Sequence, residues 1–422
     1  MIGQLLELRR LRRVTRLPAA QVERIRDRRL RAVVHHAYDN VPYYRELFRS
    51  AGIVPDDIRT AGDLVHVPLT AKADLRHAGE AAIVASNVEQ RDCATFLTSG
   101  TTGEPFRIRV GLAEWQTRRM IDMRTLLASG VRARDEIVIL GPEHRRPHRL
   151  HDRLGLFRTS VVPGTSSPEE MQRALRALRP TVLWAYPTAL RALLHGVGYR
   201  LEEACRPRIL ITGTEMFDPV LRSRIDPAVE TFNFYGTNEV GRIAHECKAH
   251  DGMHVNIDHA IVECLDLDTG APTEATGEIV VTSLTAYAMP FIRYRVGDLT
   301  APRHGACPCG SPFPRIEAPS GRVWDMITLP SGRLFAPMAC ATVLRRSAGI
   351  DQYRLTQVAP DRIVVELVPG AGFCAPSLAQ LGEELVRSLG EPVAIEFRTV
   401  DFIRSRTAKF KVFESLIESA RN

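Results

Sequence analysis

The sequence predicts an α/β protein with a large N-terminal domain, in which helices flank mostly parallel sheets, and a small α+β domain at the C-terminus. The 422 residues exceed the length of one ordinary hydrophobic core. Short apolar strands alternate with helices between about residues 91 and 320, an order typical of parallel sheets covered by helices. Residues 301–322 are rich in proline, glycine, serine and cysteine, which indicates a boundary. The predicted domains are therefore residues 1–322 and 323–422.

Residues 1–90 are predicted to be mostly helical, with helices around Gln21–Tyr38 and Tyr43–Ala51. Thr70 is placed to cap a helix that begins near Lys72. In the alternating region the predicted strands are Glu136–Leu140, Thr181–Ala185, Arg208–Thr212, Thr231–Phe234 and Gly277–Ser283. The helices predicted among them are Leu112–Ala128, Pro168–Leu178 and Thr188–Val197. After the boundary we predict strands Gln352–Val358, Arg362–Val368 and Val393–Arg398, and a helix Ser377–Leu389.

The chain has 56 basic and 49 acidic residues, a net charge of +7. Its densest basic run, Arg9 to Arg31, also has leucines at helical spacing, so it favours a solvated amphipathic helix over a nucleic-acid-binding arm. No window approaches the ~20 apolar residues that span a bilayer, and the N-terminus lacks the pattern of a secretory signal. We therefore expect a cytoplasmic protein, a monomer or homodimer, that binds neither nucleic acid nor membrane.

A loop of hydroxyl and glycine residues follows the strand-like run Cys93–Leu97. Its backbone N–H groups and hydroxyls can converge on an anion, and its glycines permit the unusual dihedral angles that this requires. The spacing is not that of a Walker loop, and a Ser/Thr-rich surface turn is the alternative. The candidate phosphate-binding residues are Thr98, Ser99, Gly100, Thr101, Thr102 and Gly103.

This loop resembles the signature loop of the adenylate-forming superfamily, which includes acyl-coenzyme A ligases, peptide-synthetase adenylation domains and luciferases. Further segments resemble later motifs of that superfamily in the same order. The segment His36–Arg45 is similar to the phenylacetate–coenzyme A ligase branch. The later motif-like segments are Phe234–Glu239, Gly277–Asp298, Gly321–Asp325 and Arg406–Phe410.

The resemblance implies that the loop closes over the β- and γ-phosphates of ATP. It implies that Tyr235 stacks on adenine, Thr237 touches the α-phosphate, Glu239 helps to hold magnesium and Asp298 binds the ribose hydroxyls. Lys409 is the candidate catalytic ammonium, with Lys411 as the neighbouring alternative. The other residues predicted for the nucleotide site are Gly213, Thr214, Glu215, Gly236 and Arg322.

Asp325 occupies the hinge position of the motif series, so the resemblance implies a mobile C-terminal domain. Two positions depart from the superfamily pattern. Glu104 stands where a lysine is usual, which weakens the loop as an electrostatic clamp on phosphate. Ala408 stands where a glycine is usual, which alters the loop that carries Lys409.

Cys247, His254, Cys307 and Cys309 lie in two short segments that suit a closed tetrahedral zinc site. Such a site ties loops together and has no open position for catalysis. Similar Cys/His pairs occur in zinc-bearing members of the phenylacetate ligase branch. His250 is the competing imidazole, and separate buried cysteines are the alternative to a metal site.

The predicted reaction is ATP-dependent activation of a small, aromatic acid as its AMP anhydride, followed by transfer to coenzyme A. Tyr186 could pack an aromatic acid or serve the core, and the loop around His144 could receive an anion or be solvated. Within the same chemistry, an amide-forming ligase or a diazotase that activates nitrite for an aryl amine is the alternative. A non-catalytic nucleotide-binding homologue is the alternative of another class.

Overall fold

The computed structural model describes residues 2–98, 106–142, 155–323, 326–335, 337, 340, 343–344, 347, 349–370, 372–373, 377–403 and 411–417. The chain forms two compact units. The first combines Met1–Gly130 with Phe234–Ala318, and the second combines Val131–Asn233 with Pro319–Asn422. The predicted α/β class is confirmed. The predicted domain boundary at residue 322 stays a prediction.

The helices in the described part of the chain are α1 (Ile2–Val14), α2 (Ala19–Asn40), α3 (Pro42–Ser50), α4 (Lys72–Ala78), α5 (Glu80–Ile83), α6 (Leu112–Ala128), α7 (Pro168–Leu178), α8 (Pro187–Gly196), α9 (Pro219–Ser223) and α10 (Ser377–Leu389). None of them has both the length and the apolar character that crossing a bilayer requires.

The strands in the same described ranges are β1 (Cys93–Thr98), β2 (Phe106–Gly111), β3 (Ile137–Gly141), β4 (Thr159–Pro163), β5 (Val182–Ala185), β6 (Ile209–Gly213), β7 (Glu230–Thr237), β8 (Gly241–Glu246), β9 (Met253–Val255), β10 (Ala260–Leu265), β11 (Gly277–Ser283), β12 (Tyr294–Thr300), β13 (Pro302–Arg303), β14 (Arg315–Ile316), β15 (Ile327–Thr328), β16 (Leu334–Phe335), β17 (Ile350–Ala359), β18 (Arg362–Pro369), β19 (Ala394–Thr399) and β20 (Phe413–Ser415). Every strand and helix predicted from the sequence is present, with ends shifted by at most three residues.

A proline separates the two predicted N-terminal helices of the first unit. Val41 is extended, with φ −118° and ψ 108°, because a residue before proline is disfavoured in helical conformation. Pro42 then takes the first position of α3, where its missing N–H costs no hydrogen bond. Apolar residues of α2 at helical spacing, including Leu30 and Val34, pack with Tyr44 of α3 in one buried cluster.

The prediction that Thr70 caps α4 is wrong. The residue before α4 is Ala71, and its backbone N–H donates to the Asp74 carboxylate at 2.8 Å. Thr70 is buried, and its hydroxyl donates to the carbonyl of Ile292 at 2.9 Å. The backbone of Thr70 forms a parallel β-bridge with Tyr294. This long-range pairing holds Thr70 outside the capping position.

The sheets of the first unit are antiparallel. β10, β11 and β12 form one such sheet, β1 pairs with β2, and β8, β9, β14 and β13 follow one another in a second antiparallel arrangement. Short loops, such as the one from Glu246 to Met253 between β8 and β9, leave no room for the helical crossover that parallel pairing requires. The predicted parallel pairing therefore applies to the second unit only.

In the second unit, β4, β3, β5 and β6 lie side by side in parallel, with α7 and α8 packed against them in a buried apolar core. The C-terminal residues of this unit form a four-stranded sheet in the order β19, β18, β17 and β20, and α10 covers its buried face. The C-terminal edge of the parallel strands is where α/β proteins place ligands.

Candidate active site

The hairpin between β7 and β8 carries Thr237 and Glu239. The two strands approach so closely at its base that a side chain on Gly236 would lie 2.3 Å from the carbonyl oxygen of Gly241. Gly241 has φ +91°, a conformation that side chains rarely adopt. The hydroxyl of Thr237 accepts a hydrogen bond from the N–H of Val240 at 3.2 Å. The turn is thus short, and it leaves the half-buried Glu239 carboxylate reachable from water.

Two residues from different motifs meet beside this turn. Tyr235 of β7 donates its phenolic hydroxyl to the Asp298 carboxylate of β12 at 2.8 Å. A second tyrosine, Tyr294, donates to the Glu239 carboxylate at 3.3 Å. Burial first, and the negative Glu239 second, raise the pKa of Tyr294, so it remains a donor. The structure therefore brings the predicted adenine, ribose and magnesium residues together in the first unit.

Sequence reasoning did not assign a role to Tyr294. Tyr294 lies in the motif-like segment Gly277–Asp298. It is 55 residues away in sequence from Glu239, the residue that it contacts. A tyrosine four residues before the motif aspartate was the available signal.

The turn is also joined to the strand that leads into the predicted phosphate loop. The side-chain amide of Asn238 donates to the carbonyl of Leu97 at 3.4 Å, one residue before Thr98 ends β1. The remaining loop residues lie outside the described residues: Ser99, Gly100, Thr101, Thr102, Gly103 and Glu104.

A buried arginine of α6 lies beneath the turn. Arg118 donates Nη1 to the carbonyl of Asn238 at 2.8 Å and Nη2 to the carbonyl of Glu239. Its Nε donates to the Glu114 carboxylate at 2.9 Å, one helical turn away on the same helix. Both side chains are less than a tenth exposed. Burial raises the pKa of Glu114 to about 7, although Arg118 opposes the shift.

The next carbonyl of the turn contacts a buried histidine. His259 Nε2 lies 2.8 Å from the carbonyl of Val240, and its Nδ1 lies 2.9 Å from the hydroxyl of Thr285. A carbonyl can only accept, so Nε2 carries the proton and Nδ1 accepts from Thr285. Burial first, and the positive Arg118 second, lower the pKa of His259 to about 3. The imidazole is therefore neutral.

This lowered pKa predicts acid sensitivity. Between about pH 6.5 and 3, His259 is protonated in the unfolded chain and neutral in the folded chain. The free energy of unfolding therefore decreases as the pH falls. Relative to His259→Gln, the wild type should lose about 2 kcal/mol of unfolding free energy between pH 7.5 and 5. Urea unfolding at the two pH values measures this. Equal losses in both proteins would contradict the prediction.

In the second unit, Tyr186 and the residues after β6 lie at the C-terminal edge of the parallel strands. The Glu215 carboxylate accepts from the backbone N–H of Thr188 at 2.8 Å and from its hydroxyl at 2.6 Å. Glu215 thus satisfies the N-terminus of α8, where Tyr186 takes the capping position. Thr214, after Gly213, has φ +69°, a strained conformation for a β-branched residue that favours a functional constraint.

Besides the phosphate-loop residues, three more predicted site residues lie outside the described residues: His144, Asp325 and Lys409. Arg322 is described and half-buried. Because Tyr186, Gly213–Glu215 and Arg322 belong to the second unit, their roles toward the nucleotide stay predictions.

The predicted cysteine and histidine residues converge between two hairpins of the first unit. The ligand atoms of Cys247, His254, Cys307 and Cys309 all lie within 4.8 Å of one another. Cys247 and Cys307 have their sulfur atoms 3.6 Å apart, and Cys309 Sγ lies 3.3 Å from His254 Nε2. In a tetrahedral zinc site, S–S and S–N ligand separations are about 3.8 and 3.6 Å. The observed separations are close to these, and the sulfur atoms are too far apart for a disulfide.

The structure also shows which of the two candidate histidines faces the cysteines. His254 Nδ1 lies 3.0 Å from the carbonyl of Phe313, so Nδ1 carries the proton and Nε2 presents its lone pair to the cysteines. The ring of His250 instead lies 3.8 Å from the carboxylate of Glu246. Pairing of β9 with β14 sets His254 opposite Arg315, beside the Cys307–Cys309 loop.

Comparison with curated proteins decides the family. A phenylacetate–coenzyme A ligase of Aromatoleum evansii is 30% identical over 355 residues, which cover 80% of this chain and 78% of the relative. The chain belongs to the phenylacetate–coenzyme A ligase family. A member from Thermus thermophilus is 27% identical over 411 residues, covering 93% of this chain and 90% of the relative. No family model matches the chain.

Solved structures support the fold. A 2-hydroxyisobutyryl-CoA ligase in the postadenylation state superposes with a TM-score of 0.79 at 22% identity, covering 97% of this chain and 92% of that structure. A benzoate CoA ligase from Burkholderia xenovorans LB400 gives a TM-score of 0.54 at 15% identity, covering 78% of this chain and 68% of that structure. With the family membership, the predicted enzyme class, an ATP-dependent, AMP-forming ligase, is confirmed.

Proposed function

We propose that the protein activates a small carboxylic acid as its acyl adenylate, with release of pyrophosphate, and then transfers the acyl group to coenzyme A. The observation that carries this proposal is the Tyr235–Asp298 hydrogen bond of 2.8 Å, which joins two nucleotide motifs beside Glu239. The curated relatives are named phenylacetate–coenzyme A ligases, and a related structure holds an acyl adenylate with coenzyme A.

The chemistry requires a carboxylate to attack an anionic α-phosphate, so the site must offset negative charge that grows in the transition state. The half-buried Glu239 carboxylate, fixed by Tyr294, is a suitable oxygen ligand for a magnesium ion, whose charge offsets that of the phosphates. Thr237 would contact the α-phosphate, Tyr235 would stack on adenine, and Asp298 would bind the ribose. Lys409 would supply the second positive charge.

For the activated acid we propose an aromatic carboxylic acid. The names of the curated relatives support this class, and Tyr186 lies half-buried at the edge where α/β proteins bind ligands. A solved structure of 2-hydroxyisobutyryl-CoA ligase, 21% identical to this chain, holds 2-HIB-AMP, the adenylate of an aliphatic acid, so aliphatic acids belong in the substrate panel.

We also propose that Cys247, His254, Cys307 and Cys309 bind a structural zinc ion. Four protein ligands close the coordination shell and leave no position for a substrate. The cluster begins where β8 ends, whereas Glu239 precedes the start of β8, so a strand of roughly 20 Å separates them. The ion would therefore fix two hairpins and take no part in the reaction.

The proposed function is tested by pyrophosphate release from ATP with a panel of aryl acids, aliphatic acids, and nitrite with aryl amines, each with and without coenzyme A. We expect release with aryl acids and thioester formation when coenzyme A is added. Release that depends on nitrite and an amine would replace this proposal with a diazotase, and release without thioester would indicate another acceptor, such as an amine. No release with any substrate would favour a nucleotide-binding homologue. The cytoplasmic location and the choice between monomer and homodimer stay predictions.

A further inference from the structure

Three consecutive backbone carbonyls of the turn after β7 are bound by two buried side chains. Arg118 contacts the carbonyls of Asn238 and Glu239, and His259 contacts that of Val240. A hairpin turn ordinarily leaves such carbonyls to water. Here each has a buried protein donor, which fixes the orientation of three successive peptide planes.

The arrangement places charge in the interior. Arg118 and Glu114 are buried together, and Glu114 Oε2 has no hydrogen-bond partner among the described residues. A buried ion pair contributes little net stability compared with an apolar pair of similar volume. Because the guanidinium has several donors in one plane, it can bind both carbonyls and the carboxylate at once.

The bound carbonyls belong to the residues whose side chains define the candidate site. Glu239 presents its carboxylate to Tyr294 from the middle of this turn. Asn238 reaches Leu97, next to the last residue of β1, so the turn also holds the strand that precedes the predicted phosphate loop. A change in the peptide planes would move both contacts.

We propose that Arg118 and His259 are positioning residues for adenylation, which hold the Asn238–Val240 backbone so that the Glu239 carboxylate is oriented toward the magnesium ion of Mg·ATP. The proposal rests on the proposed role of Glu239. The described contacts of Arg118 and His259 with the turn are to its backbone carbonyls, so both residues act through that backbone. Arg118 and His259 both lie outside the segments that resemble motifs of the adenylate-forming superfamily.

The decisive measurement is the dependence of ATP–pyrophosphate exchange on Mg²⁺ concentration, with the melting temperature measured in parallel. Arg118→Lys retains the positive charge but cannot reach two carbonyls and Glu114 together. We expect it to raise the Mg²⁺ concentration for half-maximal exchange by about tenfold, the size typical of groups that orient a metal ligand, and to lower kcat.

Arg124→Lys is the matched control. Arg124 lies on the same helix, is equally buried, and binds Asp258 and Asn256 without a contact to residues 237–240 among its described hydrogen bonds. Its replacement should lower the melting temperature and leave the Mg²⁺ requirement unchanged. If Arg118→Lys behaves like Arg124→Lys, Arg118 is structural and the proposal is wrong.

A histidine pair keeps the proposal testable if the Arg118 variant does not fold. In His259→Gln, the side-chain amide would lie near the position of Nε2 and could still donate to the carbonyl of Val240. The shorter side chain in His259→Asn would not reach that carbonyl. We expect His259→Asn to raise the Mg²⁺ requirement and His259→Gln to restore it, and equal requirements in both variants would overturn the proposal.

Glu239→Gln distinguishes a failure of the proposed role of Glu239 from a failure of the positioning proposal. If it leaves the Mg²⁺ requirement unaltered, the role of Glu239 itself is wrong; if it raises the requirement while the Arg118 and His259 variants do not, only the positioning proposal is wrong.

Discussion

Replacing Lys409 by alanine should lower the rate of adenylate formation by well over tenfold, which corresponds to about 1.4 kcal/mol or more of activation free energy. The attack of a carboxylate on the α-phosphate builds negative charge on the bridging oxygens. A compact ammonium group stabilises that charge more in the transition state than in the ground state. The chain has four lysines and 52 arginines, so a lysine at this motif position is a specific choice of cation.

Steady-state ATP–pyrophosphate exchange at saturating acid measures this effect. A group that acts only in the transition state lowers kcat and kcat/KM together, whereas a group that merely binds ATP raises KM. Lys411→Ala is the control, because it removes the same charge two residues later. An unchanged rate in Lys409→Ala together with a large loss in Lys411→Ala would reverse the assignment of the two lysines.

The elements of the fold were predictable because their apolar residues follow the period of a helix or a strand. The helices Leu112–Ala128, Pro168–Leu178 and Ser377–Leu389 have the bounds that the pattern predicts. The antiparallel pairing of the first unit was not predictable from alternation of elements. Hairpin loops and short turns, such as the one between β8 and β9, decided it.

The candidate site was predictable where a motif carried it and unpredictable where a distant contact did. Tyr235 and Asp298 were named from motif order, and the structure brings them together. Arg118 gave no signal, because its partners Asn238 and Glu239 lie 120 and 121 residues later in the chain. A buried arginine looks in sequence like any charged residue on an amphipathic helix.

The choice between His250 and His254 shows the same limit. Both imidazoles lie near Cys247 in sequence, so spacing alone leaves them equivalent. The register of β9 against β14 directs His254 toward the Cys307–Cys309 loop, and the Phe313 carbonyl fixes its proton on Nδ1. Register depends on which strands pair, and that is a property of the folded chain.

Replacing Cys307 by serine should abolish zinc binding and lower the melting temperature of the protein by about 10 °C or more. Structural zinc contributes roughly 10–16 kcal/mol of binding free energy in small domains, and part of that is lost from the folded state when one thiolate is removed. In a unit of this size each kcal/mol lowers the melting temperature by about 2–4 °C. Metal analysis of the purified protein and thermal unfolding, with and without a chelator, measure both effects.

Cys264→Ser is the matched control, because Cys264 is also buried in the first unit but lies outside the cluster of four ligands. It should retain one zinc per chain. The Cys307 variant, assayed at a temperature where it remains folded, should keep most of its ATP–pyrophosphate exchange, because β8 separates the cluster from Glu239. A wild-type protein that contains no zinc would remove the metal from the proposal. Loss of exchange in a folded Cys307→Ser protein would instead show that the fixed hairpins control the position of the Glu239 turn at the other end of the strand.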